Sequence, residues 1–207
     1  MLYSIFMKKL LIATKNNGKI KEIKYFLDGL NLKILSLTDV GIDTDIEENG
    51  KTYHENSKLK ALFYAKLSNL PVISDDGGLE IDALNGEPGI KSRRWLGRHS
   101  TDKELIAHLL KISKKLPKDN RNAYLKAVIT FALPNGKYFQ ALGKVKGIIS
   151  ENPASGKLKG YPFRTFFYIP KIKKYYLESK LSKEEEKVYN HRYKALQKLI
   201  PFIKKYA

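Results

Sequence analysis

The chain of 207 residues carries 39 Lys and Arg against 21 Asp and Glu, a formal charge of +18, with 43% apolar residues and no cysteine. This composition supports a sizeable core in one domain of ordinary size and excludes a disordered tail protein. The absence of cysteine excludes disulfide scaffolds, thiolate metal sites and cysteine nucleophiles, and no apolar run approaches the roughly 20 residues of a membrane helix.

The apolar opening Met1–Ala13 is split by Lys8 and Lys9, whereas a secretory signal carries its charge ahead of the apolar stretch. Met7 would serve as a second start, which would make residues 1–7 an upstream extension. The expectation is a cytoplasmic protein with one domain over residues 1–207. Lys8–Thr14 reads as a buried strand that stops at the polar turn Lys15-Asn16-Asn17-Gly18. Ile20, Ile23, Leu27 and Leu30 then recur at helical spacing. Such a junction offers backbone N–H groups and the positive end of a helix dipole, where an anion is favoured. Thr14 and Asn16 add side-chain donors and Lys19 a charge one turn in, although Asn-Asn-Gly serves equally as a cap and turn. The Walker A pattern is absent.

Leu32–Leu37 gives a second strand, followed by an acidic loop to Gly50. Thr52-Tyr53-His54-Glu55 has the capping-box pattern, with Leu59, Leu62, Phe63 and Lys66/Leu67 as the expected apolar face of the next helix. Pro71–Ser74 reads as a brief strand delivering Asp75-Asp76-Gly77-Gly78, a turn by composition. Adjacent aspartates after a strand point to different sides, so one can ligate Mg²⁺ while its neighbour organises the loop. Glu47 and Glu48 lie upstream to join them. A solvated acidic turn would look the same.

Gly86–Trp95 reads as a loop that sets Arg93 and Arg94 beside the single Trp, where arginine can grip a phosphate or stack on a base. Thr101–Glu104 caps another helix through Leu105, Leu109 and Ile112. Ala123–Leu133 and Lys137–Ile149 flank Pro134-Asn135-Gly136 and predict a hairpin. Ser182–Glu185 opens a last helix with Val188, Ala195, Leu196, Leu199 and Ile203 expected inward, and with Pro201 expected to bend or shorten it. His54, His99 and His108 lack metal-ligand spacing, and His191 on a helix reads equally as a polar surface residue. The elements predict an α/β fold, a mixed β-sheet flanked by helices with the hairpin as an antiparallel addition.

Charge is uneven along the chain. The stretch from Lys157 to Ala207 has 14 basic and four acidic residues, whereas 11 of the 21 acids fall between Asp39 and Glu87. Basic residues facing phosphates around a carboxylate-held metal would account for this, and so would a nucleic-acid binder with an ordinary acidic surface.

Together, Thr14-x-Asn16-x-x-Lys19, Glu47-Glu48-x-Gly50-x-Thr52, Glu55-Asn56, Ser74-Asp75-Asp76-x-Gly78-Leu79, Gly86-x-Pro88-Gly89-Ile90-x-Ser92-x-Arg94 and His191-Arg192 occur in one order. In this the chain resembles the inosine/xanthosine triphosphate pyrophosphatases from about Lys8 to about Ile203. The resemblance implies an elongated two-lobed fold, a homodimer, and Mg²⁺-dependent hydrolysis of non-canonical purine nucleoside triphosphates to monophosphate and pyrophosphate. It implies that Thr14, Asn16 and Lys19 hold the triphosphate. Asp76 would be general base and metal ligand, with Asp75 and Glu47 supporting the ion. Ser92 and Arg94 would shape the substrate cleft, with His191 and Arg192 against the 6-oxo group of the base.

The departures concentrate in the base-reading segment. The family's Gly-Phe-Gly-Tyr/Trp-Asp-Pro is Gly160-Tyr161-Pro162-Phe163-Arg164-Thr165 here, so a glycine has become Pro162 and an aspartate Arg164. Asp→Arg replaces an acceptor with a donor. Phe163, Phe166 or Tyr161 would supply the stacking face, Lys187 is the nearest match to the family's lysine before Ser-His-Arg, and Gly77 stands where the family has serine. The alternative expectation is a divergent homologue without activity, whose lysines 171, 173, 174, 180 and 183 would grip nucleic acid with steep salt dependence.

Overall fold

The computed structural model describes residues 8–155, 159–177 and 181–207. Met7, Glu178 and Lys180 lie outside the described residues. Among the described residues seven strands form one sheet in the order β2-β1-β3-β4-β5-β6-β7. They are β1 (Lys8–Ala13), β2 (Leu32–Ser36), β3 (Val72–Ile81), β4 (Asn122–Ala132), β5 (Tyr138–Ile149), β6 (Phe167–Ile169) and β7 (Lys174–Tyr175). β1 runs parallel to β2, with Leu10 opposite Ile34, and parallel to β3, with Leu11 opposite Val72. β5–β6 and β6–β7 are antiparallel, so the sheet is mixed. Among the described residues five helices accompany it: α1 (Asn17–Phe26), α2 (Tyr53–Ser68), α3 (Asp102–Ser113), α4 (Lys183–Tyr189) and α5 (His191–Tyr206). None of the described helices is long and apolar enough to cross a membrane.

The chain divides into two compact units. One holds the residues up to Asp76 with Val128–Ala141 and Ala195–Ala207, and the other holds Gly77–Ala127 and Leu142–Lys194. In the first, Leu11, Ala13, Leu37, Ala61, Tyr64, Ala65, Val72 and Ala132 make a buried cluster. The expected hairpin turn is there, closed by the Gly136 N–H on the Leu133 carbonyl at 3.0 Å, with Gly136 at φ 87. In the second unit Leu79, Leu105, Leu109, Phe166, Phe167 and Tyr176 anchor the core. Gly147 is required there, because a Cβ would lie 2.5 Å from the Phe167 ring and from the Tyr168 carbonyl oxygen.

Four expectations need correction. Asp75-Asp76-Gly77-Gly78 is not a turn but the middle of β3. Gly77 permits this, since a Cβ would press on the Lys126 carbonyl oxygen and come within 2.9 Å of the Ala127 Cα. Next, α2 carries the capping box of Thr52 and Glu55 but buries Tyr53, Asn56, Ser57, Lys60, Ala61, Tyr64 and Ala65. Leu59 and Leu67, expected inside, are exposed, while Leu62 and Phe63 pack partly against the core. The small residues at 57, 61 and 65 let the helix approach closely, and the polar ones find partners there. Third, Gly86–Trp95 is not a plain loop, for Gly89–Arg94 is a 3-10 helix. Last, the C-terminal helix is two helices broken at Asn190, whose backbone is extended. Asn190 Oδ1 accepts from the N–H groups of Arg192 and Tyr193 and so starts α5. Val188 is exposed on α4, and α5 runs through Pro201 to Tyr206 without being cut short.

Candidate active site

The first unit holds two adjacent carboxylates on β3. Ser74, Asp75 and Asp76 are all buried, and strand alternation turns the two aspartates to opposite sides. Asp75 is ion-paired with Lys19, which α1 brings up from the end of β1. Lys60 of α2 is itself buried and bonds Glu48 at 2.5 Å. Burial pushes the Asp76 carboxyl up to about 6; Lys60 and then Lys19 pull it down, while Glu48 and Asp75 push it further up. A carboxylate with this acidity, flanked by two cations and two anions, is suited to taking a proton near neutral pH.

The surrounding polar network fixes this arrangement. Ser57 Oγ lies 2.7 Å from Thr130 Oγ1 and 3.1 Å from Ser74 Oγ, all of them buried. The Ser74 hydroxyl donates to the Ser57 carbonyl at 2.5 Å, and Gln140 donates to Thr130 at 2.9 Å. These bonds tie α2, which carries Lys60, to the strand carrying the aspartates. Asn56 Oδ1 accepts from the Gly50 N–H at 2.8 Å and holds the end of the acidic loop. Thr130→Val is expected to cost about 1 kcal/mol, because it removes the 2.7 Å partner of the buried Ser57 hydroxyl and leaves the Gln140 amide with the His54 carbonyl alone. Urea denaturation checks this, and a midpoint equal to that of the unsubstituted chain would contradict it.

At the head of α1, Asn16 Oδ1 accepts from the N–H groups of Gly18 (2.9 Å) and Lys19 (3.3 Å). Thr14 Oγ1 accepts from the Asn16 N–H at 3.2 Å. The loop is therefore a cap and turn in its own right, and it delivers Lys19 to Asp75. Glu47, expected near the metal, is exposed, while its neighbour Glu48 is bonded to Lys60 and its charge acts on Asp76. Among the described residues no group of three or more His, Cys, Asp or Glu side chains is placed to hold a metal ion. Lys60 was missed in the sequence reading because the helix was given the wrong inner face. The Ser57, Ala61, Ala65 column was the signal that could have found it.

The second unit collects the residues expected to read a base. His191 and Arg192 are buried at the start of α5, and His191 Nδ1 is 3.2 Å from the Tyr176 hydroxyl. The buried Arg164 guanidinium lies 3.9 Å from the Tyr161 ring centre and 4.4 Å from that of Tyr176, and Arg192 lies 5.3 Å from Tyr161. Phe163, a candidate stacking face, belongs instead to the core, 5.9 Å from Trp95 and edge-on to it, and Phe166 is fully buried. Tyr161 alone of the three aromatics is not buried. Ser92 works inside the fold: its Oγ donates to the Gly89 carbonyl at 2.6 Å and accepts from the Leu79 N–H at 2.9 Å. Arg94 and Lys187 are exposed. Among the basic residues expected to grip nucleic acid, Lys174 is bonded to Glu185 at 2.8 Å, while Lys171, Lys173 and Lys183 are exposed.

Buried paired aspartates with two attendant lysines, on a mixed sheet flanked by helices, are suited to phosphate-handling chemistry. The chain belongs to the Ham1 family, whose model matches residues 10–202. It is 41% identical to a dITP/XTP pyrophosphatase of Clostridium perfringens over 199 residues, covering 93% of this chain and 96% of the relative. A dITP/XTP pyrophosphatase of Thermus thermophilus is 40% identical, with 93% of this chain and 90% of the relative covered. A solved HAM1 protein from Coxiella burnetii superposes with a TM-score of 0.80 at 31% identity, covering 96% of this chain and all of that one.

Proposed function

We infer that this chain is a pyrophosphatase of non-canonical purine nucleoside triphosphates, releasing a nucleoside monophosphate and pyrophosphate. The observation that carries the reading is Asp76, a buried carboxyl pushed up to about 6 beside Asp75, Lys19, Lys60 and Glu48, in a chain 41% identical to a dITP/XTP pyrophosphatase. Asp76 is the general base that takes the proton of the attacking water. Lys19 and Lys60 exchange their carboxylate partners for phosphate oxygens and cancel charge as it develops there. Thr14 and Asn16 shape the turn that receives the triphosphate. In the second unit His191, Arg192 and Tyr161 contact the base, His191 held in orientation by Tyr176.

The donor set fits Mg²⁺: Asp76 and Glu48 offer only oxygen, with Asp75 paired to Lys19 as support, and this ion binds through one or two carboxylates plus substrate phosphates while keeping several waters. When bound, it supplies charge cancellation on the phosphate oxygens. Because no group of three carboxylates is assembled among the described residues, binding of the ion should depend on the nucleotide. Titration calorimetry is expected to find weak Mg²⁺ binding to the free protein and tight binding with a non-hydrolysable triphosphate; equally tight binding in both would contradict this. A homodimer belongs to the same reading, and light scattering checks it.

The reading is tested by pyrophosphate release from ITP, XTP, dITP, ATP, GTP, CTP and UTP, with Mg²⁺ and with EDTA. Mg²⁺-dependent release favouring ITP, dITP and XTP is expected. Absence of turnover on every triphosphate would overturn it.

A further inference from the structure

The base-reading cluster contains one residue whose chemistry points past a shared preference for inosine and xanthosine nucleotides. Arg164 is 4% exposed and lies against the rings of Tyr161 and Tyr176. Those two rings are also the neighbours of Arg192 and His191: Arg192 is 5.3 Å from Tyr161, and Tyr176 reaches the His191 ring nitrogen. Arg164 therefore belongs to the same cluster as the two residues assigned to the base. Its backbone is set in advance. Pro162–Thr165 is a 3-10 helix in which Thr165 Oγ1 donates to the Pro162 carbonyl at 3.0 Å. Just before it, the Gly160 N–H donates to Asp102 of α3 at 2.6 Å.

A guanidinium offers donors only and stays charged at all working pH values. Aromatic faces help a buried guanidinium, and a second one on the same tyrosine adds positive charge to the cluster. Such a cluster favours a ring that presents oxygen acceptors and carries negative charge. Xanthine has carbonyls at positions 2 and 6 and loses a ring proton near neutral pH, whereas hypoxanthine has the 6-carbonyl alone and stays neutral.

We propose that Arg164 is a specificity-determining residue that biases the enzyme toward xanthosine over inosine nucleotides by pairing with the anionic xanthine ring. This rests on the reading that His191 and Arg192 contact the base. The test is calorimetric binding of XMP and IMP to the full chain at pH 7.5, alongside kcat/KM for XTP and ITP, for the unsubstituted protein, Arg164→Gln and Arg164→Lys. The unsubstituted protein is expected to bind XMP about tenfold or more tightly than IMP, the scale of one charge-assisted pair. Arg164→Gln is expected to bring the two within about threefold by weakening XMP, and Arg164→Lys, which keeps charge but loses the planar fork, to fall between. Equal binding of XMP and IMP by the unsubstituted protein would overturn the proposal. So would a preference that survives Arg164→Gln, or failure of both variants to unfold cooperatively, which would make Arg164 a residue of the fold. A protein that prefers XMP yet releases no pyrophosphate would refute the pyrophosphatase reading and support this one. Intact turnover with equal binding would do the reverse.

Discussion

Asp76→Asn is expected to lower turnover steeply and to stabilise the metal-free protein at the same time. Loss of a general base costs about 10²–10⁴-fold, so kcat should fall at least into that range. The stability effect follows from the acidity of the carboxyl, pushed up from 3.8 to about 6 chiefly by burial. In the folded state the ionised form is disfavoured, so the unfolded chain binds fewer protons between these values. Stability therefore falls as pH rises from 3.8 through about 6 and stays lower above it. Asparagine cannot ionise and escapes this penalty, which at neutral pH amounts to about 2–3 kcal/mol. Urea denaturation in EDTA should find the variant and the unsubstituted chain alike near pH 4 and the variant more stable at pH 7.5. A variant less stable at pH 7.5 would refute the assigned environment of Asp76.

Lys60→Met carries the second large effect. Lys60 is the leading charge that lowers the Asp76 carboxyl, ahead of Lys19. Its loss should move the acid limb of the pH profile of kcat/KM to higher pH, since Asp76 would hold its proton longer. It should also lower kcat/KM by about 10²–10³-fold, the scale for losing one preorganised charge on a phosphoryl group. Lys19→Met should shift the limb less, because Lys19 is the smaller influence and is paired with Asp75. A limb unmoved by Lys60→Met would place that lysine outside the catalytic charge balance.

Much of this was legible in the chain. The capping boxes at Thr52, Thr101 and Ser182 mark the starts of α2, α3 and α4, because each is a local exchange of two bonds. Asn-Gly marked the hairpin for the same reason. Misreadings arose where tertiary contact outweighs local preference. Asp-Asp-Gly-Gly looks like a turn, yet β3 carries it straight through, since burial against β4 excludes a side chain at Gly77. The inner face of α2 was misassigned because its buried residues are polar and its leucines at 59 and 67 face out. That error concealed Lys60. In the base-reading part, the aromatic residues could be counted but not sorted. Only packing separates Tyr161, against two guanidiniums, from Phe163 in the core.

The most direct test of the central claim is product analysis with XTP and Mg²⁺, comparing the unsubstituted chain with Asp76→Asn. XMP and pyrophosphate are expected from the former, and the same products at least about 10²-fold more slowly from the latter. XDP with orthophosphate, or pyrophosphate released at an undiminished rate by the variant, would contradict it.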